Sequence, residues 1–198
     1  MSEPGSRRYD FIIVGAGSAG AALAYRLSAD PTNRVLVLEA GPADNFWSSI
    51  PMGYSRLINN PAANWCYCAE PEASTNGRRL PVPRGRMLGG SSAINGLVFV
   101  RGQSHDYNTW AQMGNHGWSY EDVLPVFKRM ESYAGGSDEF RGRGGPLKVT
   151  DPDGRDPLFQ SLIAAAQETG IPHVRDYNGV SQEGISMSQA TIANGKRV

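Results

Sequence analysis

Gly15, Gly17 and Gly20 stand in a GxGxxG spacing, and an acid, Glu39, follows further along the chain. Residues of these types need no nucleophile to do chemistry, because backbone N–H groups can hold a pyrophosphate. Gly15 permits a tight turn, Gly17 lets the backbone approach the anion, and Gly20 lets a helix pack closely on a sheet. The anion then sits at the positive end of the helix dipole, on N–H groups that have no partner in the helix. Glu39 can accept hydrogen bonds from ribose hydroxyls, and its charge disfavours a 2′-phosphate, which argues against NADP.

The elements needed to place these residues are present in order. Tyr9 to Val14 is apolar and β-branched, is bounded by Gly15 and reads as a fully buried strand. Ser18 to Ala29 is rich in helix formers. Asp30, Pro31 and Asn33 make a turn, and Val35 to Leu38 reads as a second buried strand delivering Glu39. GxGxxG alone would equally suit a plain glycine-rich turn. The flanking strand, helix and acid turn it into a βαβ dinucleotide-binding unit.

A second glycine-rich stretch runs from Pro83 to Gly102 (PRGRMLGGSSAINGLVFVRG). Gly85, Gly89, Gly90, Gly96 and Gly102 exclude a stable ordinary helix. Gly89-Gly90-Ser91-Ser92 offers bare N–H groups and two hydroxyls, suited to a phosphate or a flat ring. Leu97 to Val100 should anchor the loop in a core, against the alternative of a mobile glycine loop.

Other reactive groups are few. Cys66 and Cys68 are too close along the chain for an unstrained disulfide and read as reduced, partly buried thiols; no metal site is expected. His105 lies ahead of a short helix, and His116 and His173 sit in turn-like segments, all three with surface or loop roles.

The remaining chain reads as scaffold. Pro42 to Pro61 is irregular but apolar, a loop or lid. Asn64 to Glu70 alternates like a strand, Asn76-Gly77 is a hairpin-type turn, and Arg79 to Pro83 returns extended. Ser119 and Asp122 form a capping box before the stripe Val123, Leu124, Phe127 and Met130, with Pro125 kinking the helix or delaying its start. Asp156 caps a second helix with Pro157 at its first position, a buried face of Phe159, Leu162, Ile163 and Ala166, and Gly170 at its end. Gly135 to Gly145 reads as a mobile, charged connection. The last residues stop after a turn at Asn194-Gly195 with no helix or strand to receive it, so an N-terminal part of a larger protein is expected.

Composition narrows the function classes. Of 198 residues, 40% are hydrophobic, and Lys+Arg and Asp+Glu both number 19, so no charge excess points to nucleic acid or an anionic membrane. No apolar run approaches a membrane span, and the first residues (MSEPGSRR) lack the apolar region of a secretory signal. A cytoplasmic protein is expected, with peripheral attachment to the inner membrane left open.

Gly85-Arg86-Met87-Leu88-Gly89-Gly90-Ser91-Ser92-Ala93-Ile94-Asn95, continuing through Phe99, Gly102 and Asn108, resembles the first signature of the glucose–methanol–choline (GMC) oxidoreductases. GAGSAG, Glu39-Ala40-Gly41, Asn64-Trp65, Gly117-Trp118-Ser119, Gly145-Pro146-Leu147, Asp176-Tyr177-Asn178-Gly179 and Gln182-Glu183-Gly184 extend the likeness over nearly the whole chain from Tyr9. The resemblance implies an α/β fold: a Rossmann-like FAD-binding βαβ unit with the start of an α+β substrate domain, incomplete at the C-terminus. Its implied parts are a disordered segment at 1–8, the N-terminal part of the FAD domain with lid and flavin loop at 9–150, and the start of a substrate region at 151–198.

The resemblance also implies FAD rather than NAD. By position, Gly15, Gly17, Ser18, Ala19 and Gly20 would hold the pyrophosphate, and Glu39, with Ala40 beside it, the adenosine ribose. Arg84, Gly89, Gly90, Asn95, Gly96, Leu97 and Val98 would line the rest, the last four nearest the flavin ring. Ile94 aligns with the histidine that some members bond covalently to flavin, so FAD should be non-covalent. The family's histidine base is expected beyond residue 198, which leaves no catalytic residue here and little or no activity in this chain alone. The expected reaction is oxidation of a small alcohol by hydride transfer to flavin N5, with electrons passed to a quinone or another acceptor, as in choline dehydrogenases. The alternatives are an oxidase using O₂ and a non-catalytic flavin-binding fragment. An NAD-dependent dehydrogenase would rest on GxGxxG alone. No partner beyond the substrate and acceptor is implied, and the oligomeric state is open.

Overall fold

The computed structural model describes residues 8–198. The expectation of disorder at 1–8 therefore falls, apart from Arg8, outside the described residues. Contacts divide the chain into two compact units, one running up to Gly96 and including Arg197, the other Leu97–Lys196 with Val198.

In the first unit β1 (Phe11–Val14) pairs in parallel with β2 (Val35–Leu38), Phe11 opposite Val35 and Val14 opposite Leu38. The connection is α1 (Ser18–Leu27), with Arg26 in its last turn, a cation placed well for the helix dipole. The strands are less buried than their composition predicts. Ile13 is buried, but Ile12 and Val14 are 60% and 84% exposed. A parallel pair is enclosed only when layers cover both faces, and here two strands and one helix leave one face and both edges open.

The segment read as irregular after Pro42 contains short helical turns: α2 (Phe46–Ser49), a 3₁₀ turn at Pro51–Gly53, and α3 (Tyr54–Leu57). Asn45 starts α2 by accepting a hydrogen bond from the Trp47 N–H. Leu57 reaches the core of this unit, where it packs with Ala63, Met87, Ala93 and Ile94.

The strand expected over Asn64 to Glu70 shrinks to β3 (Tyr67–Cys68), antiparallel to β4 (Pro81–Val82). Cys66 stands at φ +53, outside extended geometry, which stops the strand from starting earlier. Asn76 and Gly77 both have positive φ, but they close a 3₁₀ turn at Ala73–Thr75 and do not join the strands directly. Both thiols are free and exposed, not partly buried. Among the described residues, no cluster of His, Cys, Asp and Glu could hold a metal.

The second unit carries α4 (Ser104–Gln112) and α5 (Tyr120–Met130). The Ser119–Asp122 capping box is formed, and Pro125 sits inside α5 without delaying its start. His105 lies in the first turn of α4, not ahead of it. β5 (Glu131–Tyr133) and β6 (Leu147–Val149) run parallel. In α6 (Pro157–Glu168) Asp156 accepts from the Leu158 N–H, but of the expected face only Ile163 is buried, with Phe159 and Leu162 exposed. The chain ends in a hairpin, β7 (Ile192–Ala193) with β8 (Lys196–Arg197). Its two linking residues, Asn194 and Gly195, have φ +51 and +72, as a two-residue turn demands. The turn predicted at Asn194-Gly195 thus does receive a strand.

Gly135 to Gly145, expected to be mobile, is built around a fully buried arginine. Arg141 bonds Glu131 through Nε at 2.8 Å and Nη2 at 3.2 Å. Its Nη1 reaches Asp176 and Gln189 at 2.5 and 3.0 Å. Arg101 Nη2 adds an ionic contact to Glu131 at 2.7 Å, off the line of a hydrogen bond. Burial opposes ionisation of Glu131, but the Arg141 bonds, the Gly142 N–H and both guanidinium charges outweigh it and hold the carboxyl below its ordinary pKa. No helix among the described residues is long and apolar enough to cross a membrane.

Candidate functional site

The first glycine stretch has the geometry its spacing predicts. Gly15 stands at φ +92 and its N–H donates to Leu38 O at 2.7 Å, so the turn leaves β1 with the ladder extended by one bond. Gly20 is buried, and a Cβ there would meet Gly15 O at 1.9 Å; nothing larger than glycine fits between helix and turn. Gly17 caps α1 without a side chain, and no acid occupies the first turn. Ser18 and Ala19 are exposed there. The positive helix end therefore faces outward, uncompensated by its own first turn.

Glu39 follows β2, and its carboxylate is already engaged. Oε2 accepts from the Ala16 N–H at 2.8 Å and Oε1 from the Gly41 N–H at 3.0 Å. These bonds fix the side chain across the glycine turn. Each oxygen keeps a further lone pair, so ribose hydroxyls can still donate to it. Gly41 is as constrained as Gly20, since a Cβ there would lie 1.9 Å from Arg86 O.

The second glycine stretch is pressed onto the first. The Gly89 N–H donates to Ala16 O at 2.8 Å, and the Leu88 N–H to Pro42 O at 3.0 Å. Gly90, at φ +55, would place a Cβ 2.8 Å from the Gly17 Cα. A 3₁₀ turn, Gly90–Ala93, then leads to buried Ile94 and exposed Asn95 and Gly96. Two segments separated by some seventy residues thus form one backbone surface.

Two glycines on that surface have no internal cause. Neither Gly17 nor Gly96 has a left-handed φ. A Cβ at Gly17 would meet its nearest atom at 3.9 Å, and one at Gly96 would meet nothing within 4 Å. Absence of a side chain at such positions suits the close approach of something bound there. With the open helix end and the anchored acid, the residues present fit a dinucleotide.

The remaining expected residues are less engaged. Ala40 is exposed beside Glu39. Arg84 is exposed and its guanidinium bonds the Pro83 carbonyl at 2.7 Å. Leu97, buried at φ +68, and Val98, 57% exposed, begin the second unit. The three histidines all lie in the second unit. So does a cleft of about 210 Å³ lined by residues including Arg101, Tyr120 and Gln182; it contains none of the glycine-surface residues.

Sequence reasoning missed two residues that build this surface. Asn64, buried, accepts at Oδ1 from the Cys66 and Arg84 N–H groups, both at 2.9 Å, and donates to Ile58 O. In the sequence Asn64 stands out only as the first residue of an alternating segment and of the pair Asn64-Trp65. Arg197, at the chain's end, bonds Ser48, Ser92 and Asn95; a lone arginine after a turn carries no sequence signal of such a role.

The chain matches the family profile described as GMC oxidoreductase over residues 9–198. It is 47% identical over 189 residues to the oxygen-dependent choline dehydrogenase of Rhizobium etli (strain CIAT 652), covering 95% of this chain and 34% of that protein. The chain thus spans about a third of the length of the curated relatives it matches. Among solved structures, pyridoxine 4-oxidase from Mesorbium loti superposes with a TM-score of 0.90 at 36% identity, over 96% of this chain and 38% of that one. An FAD-dependent oxidoreductase from Chaetomium thermophilum gives 0.83 at 34% identity, over 94% and 34%.

Proposed function

The chain belongs to the GMC oxidoreductase family, and on that premise we propose that it forms a Rossmann-like FAD-binding part of a flavoprotein that oxidises a small alcohol to an aldehyde or ketone. The observation that carries this reading is the contact of Gly90 with Gly17, which makes one cofactor surface of two glycine stretches. When bound, FAD supplies the acceptor for the hydride leaving the alcohol carbon.

This chain's own residues bind and orient. Gly15, Gly17, Ser18, Ala19 and Gly20 hold the pyrophosphate on backbone N–H groups, and Glu39 receives the ribose hydroxyls. Gly89, Gly90, Asn95 and Gly96 continue the surface toward the ring. Ile94 is buried and aliphatic and offers no atom for a covalent link, which supports a non-covalently held cofactor. The base that takes the hydroxyl proton is a histidine beyond residue 198, and His105, His116 and His173 are not assigned to it. Residues 9–150 act as the cofactor part and 151–198 as the start of the substrate region.

Choline is the first alcohol to try, given the relatives' names, with a quinone or another acceptor. Likeness to pyridoxine 4-oxidase, and to relatives named oxygen-dependent, favours a second reading in which O₂ is the acceptor. Titrating the purified protein with FAD and following the visible bands tests the cofactor; no binding would overturn the reading. Turnover with oxygen alone against an artificial acceptor separates the two reactions, and equal rates would sink the dehydrogenase reading. We place the protein in the cytoplasm, open to peripheral membrane contact; fractionation of cells tests this.

A further inference from the structure

We propose that Arg197 is a positioning residue for the cofactor surface, setting the direction of the peptides between Ser92 and Gly96. The proposal rests on the FAD reading above and deepens it.

One guanidinium serves three separate segments. Nε donates to Ser48 O at 2.9 Å. Nη1 donates to Ser92 O at 2.8 Å and to Asn95 Oδ1 at 2.6 Å. Nη2 donates to Asn95 O at 2.8 Å. These link α2, the 3₁₀ turn Gly90–Ala93 and the residue before Gly96. Only a planar fork of donors can meet acceptors spread in this way; a lysine ammonium is a single point.

The bonds have a directional consequence. In a trans peptide the C=O and the following N–H point opposite ways, and no cis peptide occurs among the described residues. With Asn95 O drawn toward Arg197, the Gly96 N–H is turned to the other side. Gly96 is one of the two glycines whose missing side chain has no internal cause, and a Cβ there would meet nothing within 4 Å, so the backbone at this residue is open to something bound. Arg197 also makes none of the ion pairs found among the described residues. Its partners are neutral oxygens, so its charge remains beside the loop. Burial lowers the pKa of this guanidinium but leaves it charged at neutral pH.

The test compares Arg197→Ala, Arg197→Lys and wild type in the full chain, by FAD titration and by the visible spectrum of the FAD-saturated protein. Losing the fork removes the guanidinium donors from three carbonyls and the Asn95 amide oxygen, so FAD affinity should fall about ten- to a hundredfold in both variants. The saturated flavin bands should also shift, because the Gly96 N–H turns. Guanidinium ion in the buffer should restore affinity to Arg197→Ala, while ethylammonium should not. Arg197→Lys keeps the charge and much of the packing, so it carries the test if Arg197→Ala does not fold. Wild-type affinity with wild-type bands in either folded variant overturns the proposal. So does lowered stability with unchanged bands at saturation, since that marks a purely structural role. Failure of wild type to bind FAD overturns the function reading as well, and that arm is read first.

Discussion

Replacing Gly90 by alanine tests whether the two glycine stretches act as one surface. The new Cβ would stand 2.8 Å from the Gly17 Cα and 3.5 Å from the Gly17 N. Both are backbone atoms, so no side chain can swing aside. Ordinary carbon contacts lie at about 3.5–4.0 Å, so the segments must part by roughly 0.7–1.2 Å. Forced overpacking of this kind costs about 1–3 kcal/mol. The left-handed φ of +55 adds about 1–2 kcal/mol for any L side chain. Gly77 provides the control. It stands at φ +68 with nothing within 4 Å of its would-be Cβ, so Gly77→Ala should incur only the conformational cost. Thermal unfolding should place Gly90→Ala below Gly77→Ala by roughly 2–12 °C, taking about 2–4 °C per kcal/mol for a chain of this size. FAD titration should show about tenfold or greater loss in Gly90→Ala and no change in Gly77→Ala. Equal melting points and equal FAD affinities for the two variants would refute the close-approach reasoning.

Glu39→Gln places an amide NH₂ against the Ala16 or Gly41 N–H, and fluorescence titration should show FAD binding weakened roughly tenfold, the lower end of what an unmet buried polar group costs. Glu131→Gln should lose about 3–5 kcal/mol in denaturant unfolding, because it leaves buried arginines without their carboxylate. The Glu131 carboxyl is held below its ordinary 4.5, so its stabilisation is complete above that pH and is lost as pH falls through the depressed value; acid titration of stability should be flatter in the variant. At the other extreme, burial and the bond to Asp151 raise the Tyr133 phenol above its ordinary 10.0. Its contribution is complete below about pH 10 and drains away as pH rises further, and Tyr133→Phe should flatten that alkaline slope. Asp156→Ala removes the cap of α6 and should cost about 1 kcal/mol in thermal unfolding, with FAD affinity unchanged.

Local signals carried the first glycine stretch from sequence to structure. Gly15, Gly20 and Glu39 each satisfy a constraint set within their own βαβ unit, and such constraints leave a fixed spacing. The Ser119 box and the Asp156 cap were legible for the same reason, as each is closed within three residues. What failed depended on distant partners. The strands β1 and β2 are apolar, yet their burial depends on what is laid against them. Alternation over Asn64 to Glu70 predicted a strand, but Asn64 Oδ1, bonded to two N–H groups, holds Cys66 in a conformation that breaks it. Glycine and charge made Gly135 to Gly145 look mobile. Glu131, Asp176 and Gln189, up to 48 residues from Arg141, make it a core instead. The meeting of Gly17 with Gly90 left no local mark beyond the glycines themselves.

The bonds of Arg197 also set a timetable. They close spans of 102 to 149 residues, and long-range closures form late because chain entropy opposes them. A ribosome delivers the N-terminal end first. The βαβ turn can therefore fold while synthesis continues, but the loop from Ser92 to Asn95 waits for residue 197 before it gains its three bonds from that guanidinium. A nascent chain stalled before Lys196 would hold a finished βαβ glycine turn beside a Ser92–Asn95 loop still lacking its bonds from Arg197. On the proposed FAD reading, cofactor capture would then be tied to the arrival of residue 197.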